Sequence, residues 1–341
     1  MASKLSNEDL LKQVRKYVKQ DQFQERLKLR ATPQVSFLAQ GEYNINFLLT
    51  SNEDKFVLRL NTGSQMHLNN QIKYEYQALN YLQPSGVTPK PLLLDDTCDQ
   101  LPLGMLVMEY LPGRSLDYRK DLTKAAQVLA RVHEVEVPQN HQLIVEEKPL
   151  SGIWKESSEL VPIYLDSPLG KDNIKQFLER MVAKLDELRR EEEEIMNLLP
   201  YSIVNTEVNS GNFLVDDKHK AAYLVDWEKP LVTSPLQDIS HFMVPTTTLW
   251  KTDYRLTEED RARFLQAYCD ERGLDNEKLA EIKKALDVFD KFSAMRGISW
   301  SAMAWIEYQQ PDRLLKNEDT FRTMDAYLQE EFLADLFPKL I

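Results

Sequence analysis

A two-lobed α+β fold, with a small antiparallel sheet first and a larger, mainly helical part after it, is predicted by three features of the 341-residue sequence. Short apolar runs at 35–39, 45–50 and 56–60 are separated by turn chemistry, the pattern of an antiparallel meander. Beyond Pro112-Gly113 the apolar residues recur three and four apart, which is the helical period. One short hairpin, 213–215 with 222–225, interrupts that helical half. Strands first and helices second is the α+β arrangement. The expected division is an N-terminal lobe at 1–108 and a C-terminal lobe at 109–341.

The elements follow in order. Residues 1 to about 30 read as a helix. Ser6 with Asp9 gives a capping-box-like start, and Leu10, Leu11, Val14 and Val18 share a face. Gly41 breaks the first strand run, and Asn52-Glu53-Asp54 turns the chain into the third. Residues 68–83 return to helical spacing, with Tyr76, Leu79 and Leu82 on one face and Glu75 beside it. Residues 86–91 form an extended loop, because the residues before Pro89 and Pro91 avoid the helical region. Strands at 92–94 and 105–108 complete a sheet of about five strands carrying one helix. Helices are then expected at 122–133, within an insert at 151–200 that includes a long one at 172–199, and from Thr257 onward. The charged run at 189–194 reads as a solvated helix face. His133 fits a satisfied histidine at a helix end, and Trp300, Trp305 and Tyr308 fit helical core.

Composition excludes several classes. There are 42 basic and 54 acidic residues, a net charge of −12. So acidic a chain is a poor binder of nucleic acid or of an anionic membrane. It suits solubility and leans towards a cationic small partner. Cys98 and Cys269 are the two cysteines, which rules out a disulfide framework or a zinc ribbon. No apolar stretch approaches the ~18 residues of a membrane span, and no secretory leader is evident. The expected setting is cytoplasmic, as a monomer or a homodimer.

Chemistry concentrates at 203–228. A hairpin brings its ends together, so Asn212, before the outgoing strand, and Asp226, after the returning one, should lie side by side. An amide oxygen next to a carboxylate is a reasonable Mg²⁺ site, since magnesium keeps waters and bridges substrate phosphates. Glu228 is either a further metal ligand or a surface charge. Glu207, five residues before Asn212, would stand across the transferred phosphoryl group, where a carboxylate orients an acceptor hydroxyl and takes its proton.

The stretch Asn205-Thr206-Glu207-Val208-Asn209-Ser210-Gly211-Asn212, followed by Asp226-Trp227-Glu228, resembles the catalytic loop and metal motif of the aminoglycoside phosphotransferase and choline kinase-like family, a branch of the protein-kinase-like fold. Other segments agree in order. Gln40-Gly41-Glu42-Tyr43-Asn44 is similar to the family's nucleotide-covering turn. The resemblance implies that Arg59 contacts the nucleotide phosphates and that Glu75 pairs with it. It implies that Met108-Glu109-Tyr110-Leu111 is the hinge whose backbone reads the base, and that Asp238 in Gln237-Asp238-Ile239-Ser240 steadies the catalytic loop. Together these matches span 38–241; 150–200 and 245–341 agree only in being helical. The implied cofactors are ATP, with GTP as the alternative, and Mg²⁺. The implied partner is a small-molecule hydroxyl acceptor: an aminoglycoside, an amino-alcohol, a sugar or a similar metabolite.

Three departures from the family pattern matter: the catalytic carboxylate, the loop histidines and the phosphate-binding base. Glu207 stands where the family has Asp, and Asn205 and Asn209 stand where it has His. Arg59 takes the place of a frequent Lys, and arginine binds phosphate bidentately. The longer Glu207 side chain motivates the rival expectation of a weak or inactive nucleotide-binding pseudokinase acting through a protein partner. A protein kinase fits less well, because no Ala-Pro-Glu segment and no His-Arg-Asp loop occur.

Overall fold

Ser6 opens the first helix by accepting a hydrogen bond from the Asp9 amide at 3.1 Å, in a computed structural model that describes residues 6–193, 198–310, 317–338 and 340. The described elements begin with α1 (Asn7–Tyr17), α2 (Asp21–Arg26), β1 (Gln34–Gln40), β2 (Asn44–Ser51), β3 (Asp54–Asn61), α3 (Gln71–Leu82), β4 (Pro91–Asp95), β5 (Met105–Glu109) and β6 (Arg114–Ser115). There follow α4 (Tyr118–Glu134), α5 (Pro149–Leu165), α6 (Asp172–Leu188), β7 (Ser202–Val204), β8 (Phe213–Asp216), β9 (Ala221–Leu224) and β10 (Leu231–Thr233). The chain then continues with α7 (Leu236–Met243), α8 (Pro245–Lys251), α9 (Glu258–Glu271), α10 (Asn276–Glu307), α11 (Glu318–Tyr327) and α12 (Glu330–Leu336). These form two compact units. The first holds Met1–Arg114, Val135–Leu143 and Leu214–Pro230; the second holds Ser115–Glu134, Ile144–Phe213 and Leu231–Ile341.

In the first unit the five-stranded sheet runs β1-β2-β3-β5-β4, with every pairing antiparallel. The strand period of two sorts its side chains. Ile45, Phe47, Leu49, Leu58, Leu60, Met105 and Val107 join Leu10, Val14 and Phe23 in one core. Asn46 and Arg59, paired across β2 and β3, take the opposite face. The single N-terminal helix expected to about residue 30 is two helices, because Gln20 is extended. Five residues of straight helix would turn Phe23 about 140° away from Val18. The break returns Phe23 to the core, edge-on to Tyr17 at 5.3 Å.

In the second unit Phe242 of α7 packs among the rings of Tyr118, Phe213 and Phe264 at 5.1–5.3 Å. Gly297 on α10 lets α8 approach closely, since a Cβ there would lie 2.6 Å from Thr246. Several expectations change here. The long helix expected at 172–199 ends at Leu188, and a 3₁₀ turn, Arg189–Glu191, follows; residues 194–197 lie outside the described residues. Glu192, expected on a solvated face, is buried. It caps α5 by accepting from the Leu150 amide at 2.6 Å and the Ser151 hydroxyl at 2.7 Å. Helices α7 and α8 and the antiparallel β7–β10 pair are additional to the predicted set. Trp305 and Tyr308 are buried as expected, but Trp300 is 40% exposed, edge-on to Trp250. No described helix is long and apolar enough to cross a membrane.

Candidate functional site

Of the predicted site residues in the first unit, Asn44, Glu75, Asp226 and Glu228 gather around Arg59. Strand alternation points Arg59 away from the apolar core, and α3 brings Glu75 to it. The guanidinium meets Glu75 at 2.5 Å, Asp226 at 3.2 Å and the Asn46 amide oxygen at 2.9 Å. Asn70 caps α3 by accepting from the Lys73 amide at 3.1 Å. From that first turn Gln71 donates to the Glu228 carbonyl at 2.6 Å, and the Tyr74 hydroxyl donates to the Pro230 carbonyl at 2.7 Å. The segment carrying Asp226 and Glu228 is thus tied to α3 at two backbone carbonyls and one ion-pair chain. Asp226 itself has φ +66°, a left-handed backbone that Asp adopts more readily than most residues.

Asn44 adds the β1–β2 turn to this cluster. Its amide donates to the Glu228 carboxylate, and its oxygen accepts from Asn61 at 3.1 Å. Gly41 closes the same turn by donating to the Asn44 carbonyl at 2.9 Å. A Cβ on Gly41 would meet Glu228 at 3.8 Å, an ordinary contact. Glu109 and Leu111 lie apart from these groups in the contacts they make: the Glu109 amide donates to the Lys90 carbonyl at 2.9 Å, and Leu111 is buried.

Three carboxylates, Glu75, Asp226 and Glu228, surround one guanidinium. Burial pushes Glu75 up to about 7, with Asp226 adding to the rise and Arg59 opposing it. Burial, then repulsion from Asp226, likewise pushes Glu228 up to about 7. Burial disfavours the Arg59 cation, but Glu75, Asp226 and Glu228 together raise its affinity for the proton. Surplus negative charge carried on hard oxygen atoms fits a divalent cation such as magnesium. Among the described residues no group of three or more His, Cys, Asp or Glu side chains is arranged to hold a metal ion by itself.

The second unit carries Glu207 and Asn212 on the loop after β7. Asp238, fully buried at the start of α7, accepts from the Asn205 and Thr206 amides at 2.7 Å each. His133, at the end of α4, approaches Asp238 at 3.4 Å and the Tyr268 hydroxyl at 3.1 Å. Burial lowers its proton affinity although Asp238 opposes the shift, so it is a structural partner of the loop. The Glu207 amide donates to the Asn205 side chain at 3.2 Å, and the Glu207 carbonyl accepts from Asn209 at 2.9 Å and Asn212 at 3.0 Å. The Asn212 amide nitrogen is thereby engaged, which leaves its oxygen to face another partner. The Glu207 carboxylate stays 38% exposed on this fixed backbone. The asparagines at the two variant loop positions fix it together with Asn212.

Arg296 on α10 was not among the predicted residues. It donates to the Thr206 carbonyl at 2.9 Å and stands 3.5 Å from the Glu207 carboxylate. Its one signal in the sequence is that it is the sole charged residue in 292–306. A lone charge within an apolar helix is rarely buried without a partner.

Comparison with known proteins places the chain in a family and a fold. The family model described as "Phosphotransferase enzyme family" matches residues 34–282. A search of curated protein sequences finds no match. Among solved structures, an ethanolamine kinase of Plasmodium vivax is similar at 14% identity and TM-score 0.61, covering 98% of each chain. A choline kinase from Cryptosporidium parvum is similar at 14% identity and TM-score 0.64, again covering 98% of each chain. A spectinomycin phosphotransferase bound to ADP and spectinomycin is similar at 14% identity and TM-score 0.57, covering 99% of each. At these identities the likeness is one of fold.

Proposed function

The chain belongs to the phosphotransferase enzyme family, and from that premise we propose that it transfers the γ-phosphoryl group of Mg-ATP, or alternatively of GTP, to a hydroxyl of a small molecule. Arg59 is assigned to the nucleotide phosphates and Glu75 to holding Arg59 in place. Asp226, Glu228 and the Asn212 amide oxygen are assigned to magnesium. That ion, when bound, supplies charge neutralisation at the phosphates. Gly41 and Asn44 are assigned to the turn over the phosphates, and the Glu109–Leu111 backbone to the base.

Glu207 is assigned to the acceptor. Its carboxylate accepts a hydrogen bond from the acceptor hydroxyl and so orients the oxygen. The oxygen attacks the γ-phosphorus, the bond from that phosphorus to the β,γ-bridging oxygen breaks, and the nucleoside diphosphate leaves. The hydroxyl proton passes to Glu207. Most of the acceleration in such a reaction is positioning and charge stabilisation. The net charge of −12 leans the choice of acceptor towards a cation, and aminoglycosides and amino-alcohols are the classes to try first.

The observation that carries this proposal is the buried Arg59, held at once by Glu75 from α3 and by Asp226 from behind the β8–β9 hairpin. Buried carboxylates in excess of one guanidinium are costly to keep ionised, and a metal–phosphate ligand would bring a cation for them and an anion for Arg59. The test is incubation of the chain with γ-labelled ATP and Mg²⁺ against aminoglycosides, amino-alcohols and a fractionated metabolite pool. The expected result is a labelled product from wild type and none from Glu207→Ala. Binding of Mg-ATP with no product from any pool would favour a pseudokinase that acts through a protein partner.

A further inference from the structure

Arg296 holds two consecutive residues of the loop at once. One guanidinium nitrogen donates to the Thr206 carbonyl at 2.9 Å, and another stands 3.5 Å from the Glu207 carboxylate. Its Nε atom lies 3.8 Å from Glu156 of α5. The side chain is only 14% exposed, and it rises from the middle of the 32-residue helix α10. We propose that Arg296 is a positioning residue for phosphoryl transfer, fixing the Glu207 carboxylate and the backbone turn before it as one piece. The proposal rests on the assignment of Glu207 to the acceptor hydroxyl and deepens it.

The need for such a group follows from the loop. The Glu207 backbone is fixed at its amide by Asn205 and at its carbonyl by Asn209 and Asn212. Those bonds do not fix the carboxylate, which sits beyond three side-chain torsions and is 38% exposed. Displacing a reacting group by about 1 Å costs roughly 10²-fold in rate. Thr206 has φ +71°, a left-handed backbone that a β-branched residue adopts only under constraint. Asp238 holds its amide and Arg296 its carbonyl, so the strained peptide is gripped at both ends.

The chemistry of arginine suits both tasks. Its planar fork presents several donors in fixed directions, which lets one side chain meet a carbonyl and a carboxylate together. An ammonium group is a point charge on a flexible stem and cannot reproduce that span. The 3.5 Å separation also exceeds the roughly 2.7–2.9 Å of a tight charged hydrogen bond. At that distance Arg296 gives the Glu207 carboxylate a direction without a tight charged hydrogen bond to it.

The test uses the full chain as wild type, Arg296→Met, Arg296→Lys, Glu207→Gln and the Glu207→Gln/Arg296→Met double variant. Turnover of Mg-ATP is measured with an acceptor from the panel above, and with water as acceptor where the panel yields none. Circular dichroism and thermal melting establish folding, and Arg296→Lys carries the comparison if the methionine variant does not fold. The expected result is a kcat about 10²-fold lower for Arg296→Met, with KM for Mg-ATP within about twofold. Arg296→Lys should recover part of the loss. In the Glu207→Gln background, Arg296→Met should lower kcat no further. Wild-type turnover that Arg296→Met leaves within about twofold overturns the proposal alone. So does a double variant lower than Glu207→Gln by the full single-variant factor. A wild type that turns over no Mg-ATP with any acceptor overturns the kinase assignment and this proposal with it.

Discussion

The Arg59 cluster of the first unit and the Glu207 loop of the second fix charged groups by opposite means. Arg59 stands on a regular strand and is held by side chains: Glu75, Asp226 and Asn46. Glu207 stands on an irregular loop and is held through its backbone, by Asn205, Asn209 and Asn212, with Asp238 gripping the two amides before it. Each region contains one non-glycine residue with positive φ, Asp226 in the first and Thr206 in the second. Aspartate tolerates that conformation more readily, and β-branched threonine tolerates it poorly. The loop therefore carries the greater strain and needs the greater number of backbone hydrogen bonds. A charge that must stay put is served by ion pairs on rigid elements. In the role proposed for Glu207, a carboxylate that meets an acceptor would be served by a fixed backbone beneath a partly exposed side chain that Arg296 approaches.

If that contrast is right, the largest effect belongs to the ion pair. Arg59→Met leaves Glu75 buried without its cation, and such half-broken pairs cost about 3–5 kcal/mol. The Arg59→Met/Glu75→Leu variant should recover most of that stability, because an apolar pair of similar volume is close to neutral. Neither variant should use Mg-ATP. Urea denaturation and nucleotide turnover separate the two outcomes: recovery of stability without recovery of turnover marks a pair kept for its ligand. A double variant as unstable as Arg59→Met would mean that the cluster holds the fold itself.

A smaller loss is expected at the loop. Asp238→Asn keeps the shape but offers one acceptor oxygen where two amides now bond, so one buried N–H goes unpaired. That costs about 1–3 kcal/mol. The kcat should fall while KM for Mg-ATP holds, since the contacts around Arg59 are made by other residues. Equal changes in both constants would dissolve the distinction between the two regions.

The two regions were also unequally legible. Family resemblance picked out Arg59, and the 3.6-residue period put Glu75 near a helix face, so the first region could be read from resemblance together with local pattern. In the second, the spacing from Glu207 to Asn212 was visible, and so was Asp238. Arg296 was not, because it meets Thr206 and Glu207 across about ninety residues of chain and no local period encodes that. Glu192 was misread for a similar reason: within a run of charges nothing marks the one that turns inward to cap α5. The strands β7 and β10 are three residues each, too short to show alternation. Helix α7 did carry a signal, with Leu236, Ile239, Phe242 and Met243 on one face, and Pro245 stands at the first position of α8, where proline is favoured. At eight and seven residues, both span only about two turns, too few for a clear helical period.

The smallest expected effect is a pH dependence peculiar to the Arg59 cluster. Burial raises Glu75 from its ordinary value of 4.5 to about 7 in the folded chain. Between those two values the folded chain holds a proton that the unfolded chain has released. The contribution of Glu75 to stability is therefore fully present below about 4.5 and is lost as pH rises through about 7. Glu75→Gln removes that titration and leaves the others. The stability of wild type minus that of Glu75→Gln, taken from urea denaturation, should fall between about pH 5 and about pH 7.5. The fall should be on the order of 1 kcal/mol, given that a tenfold change in proton affinity is worth about 1.4 kcal/mol. It is smaller than the whole rise in proton affinity would give, because the neighbouring carboxylates titrate in the same range and share the proton. A difference that stayed flat over this window and fell only as pH dropped below about 4.5 would mean that Arg59 overcomes burial and holds Glu75 ionised. The first region would then be a plain ion pair, without the surplus of negative charge that suits it to a metal–phosphate ligand.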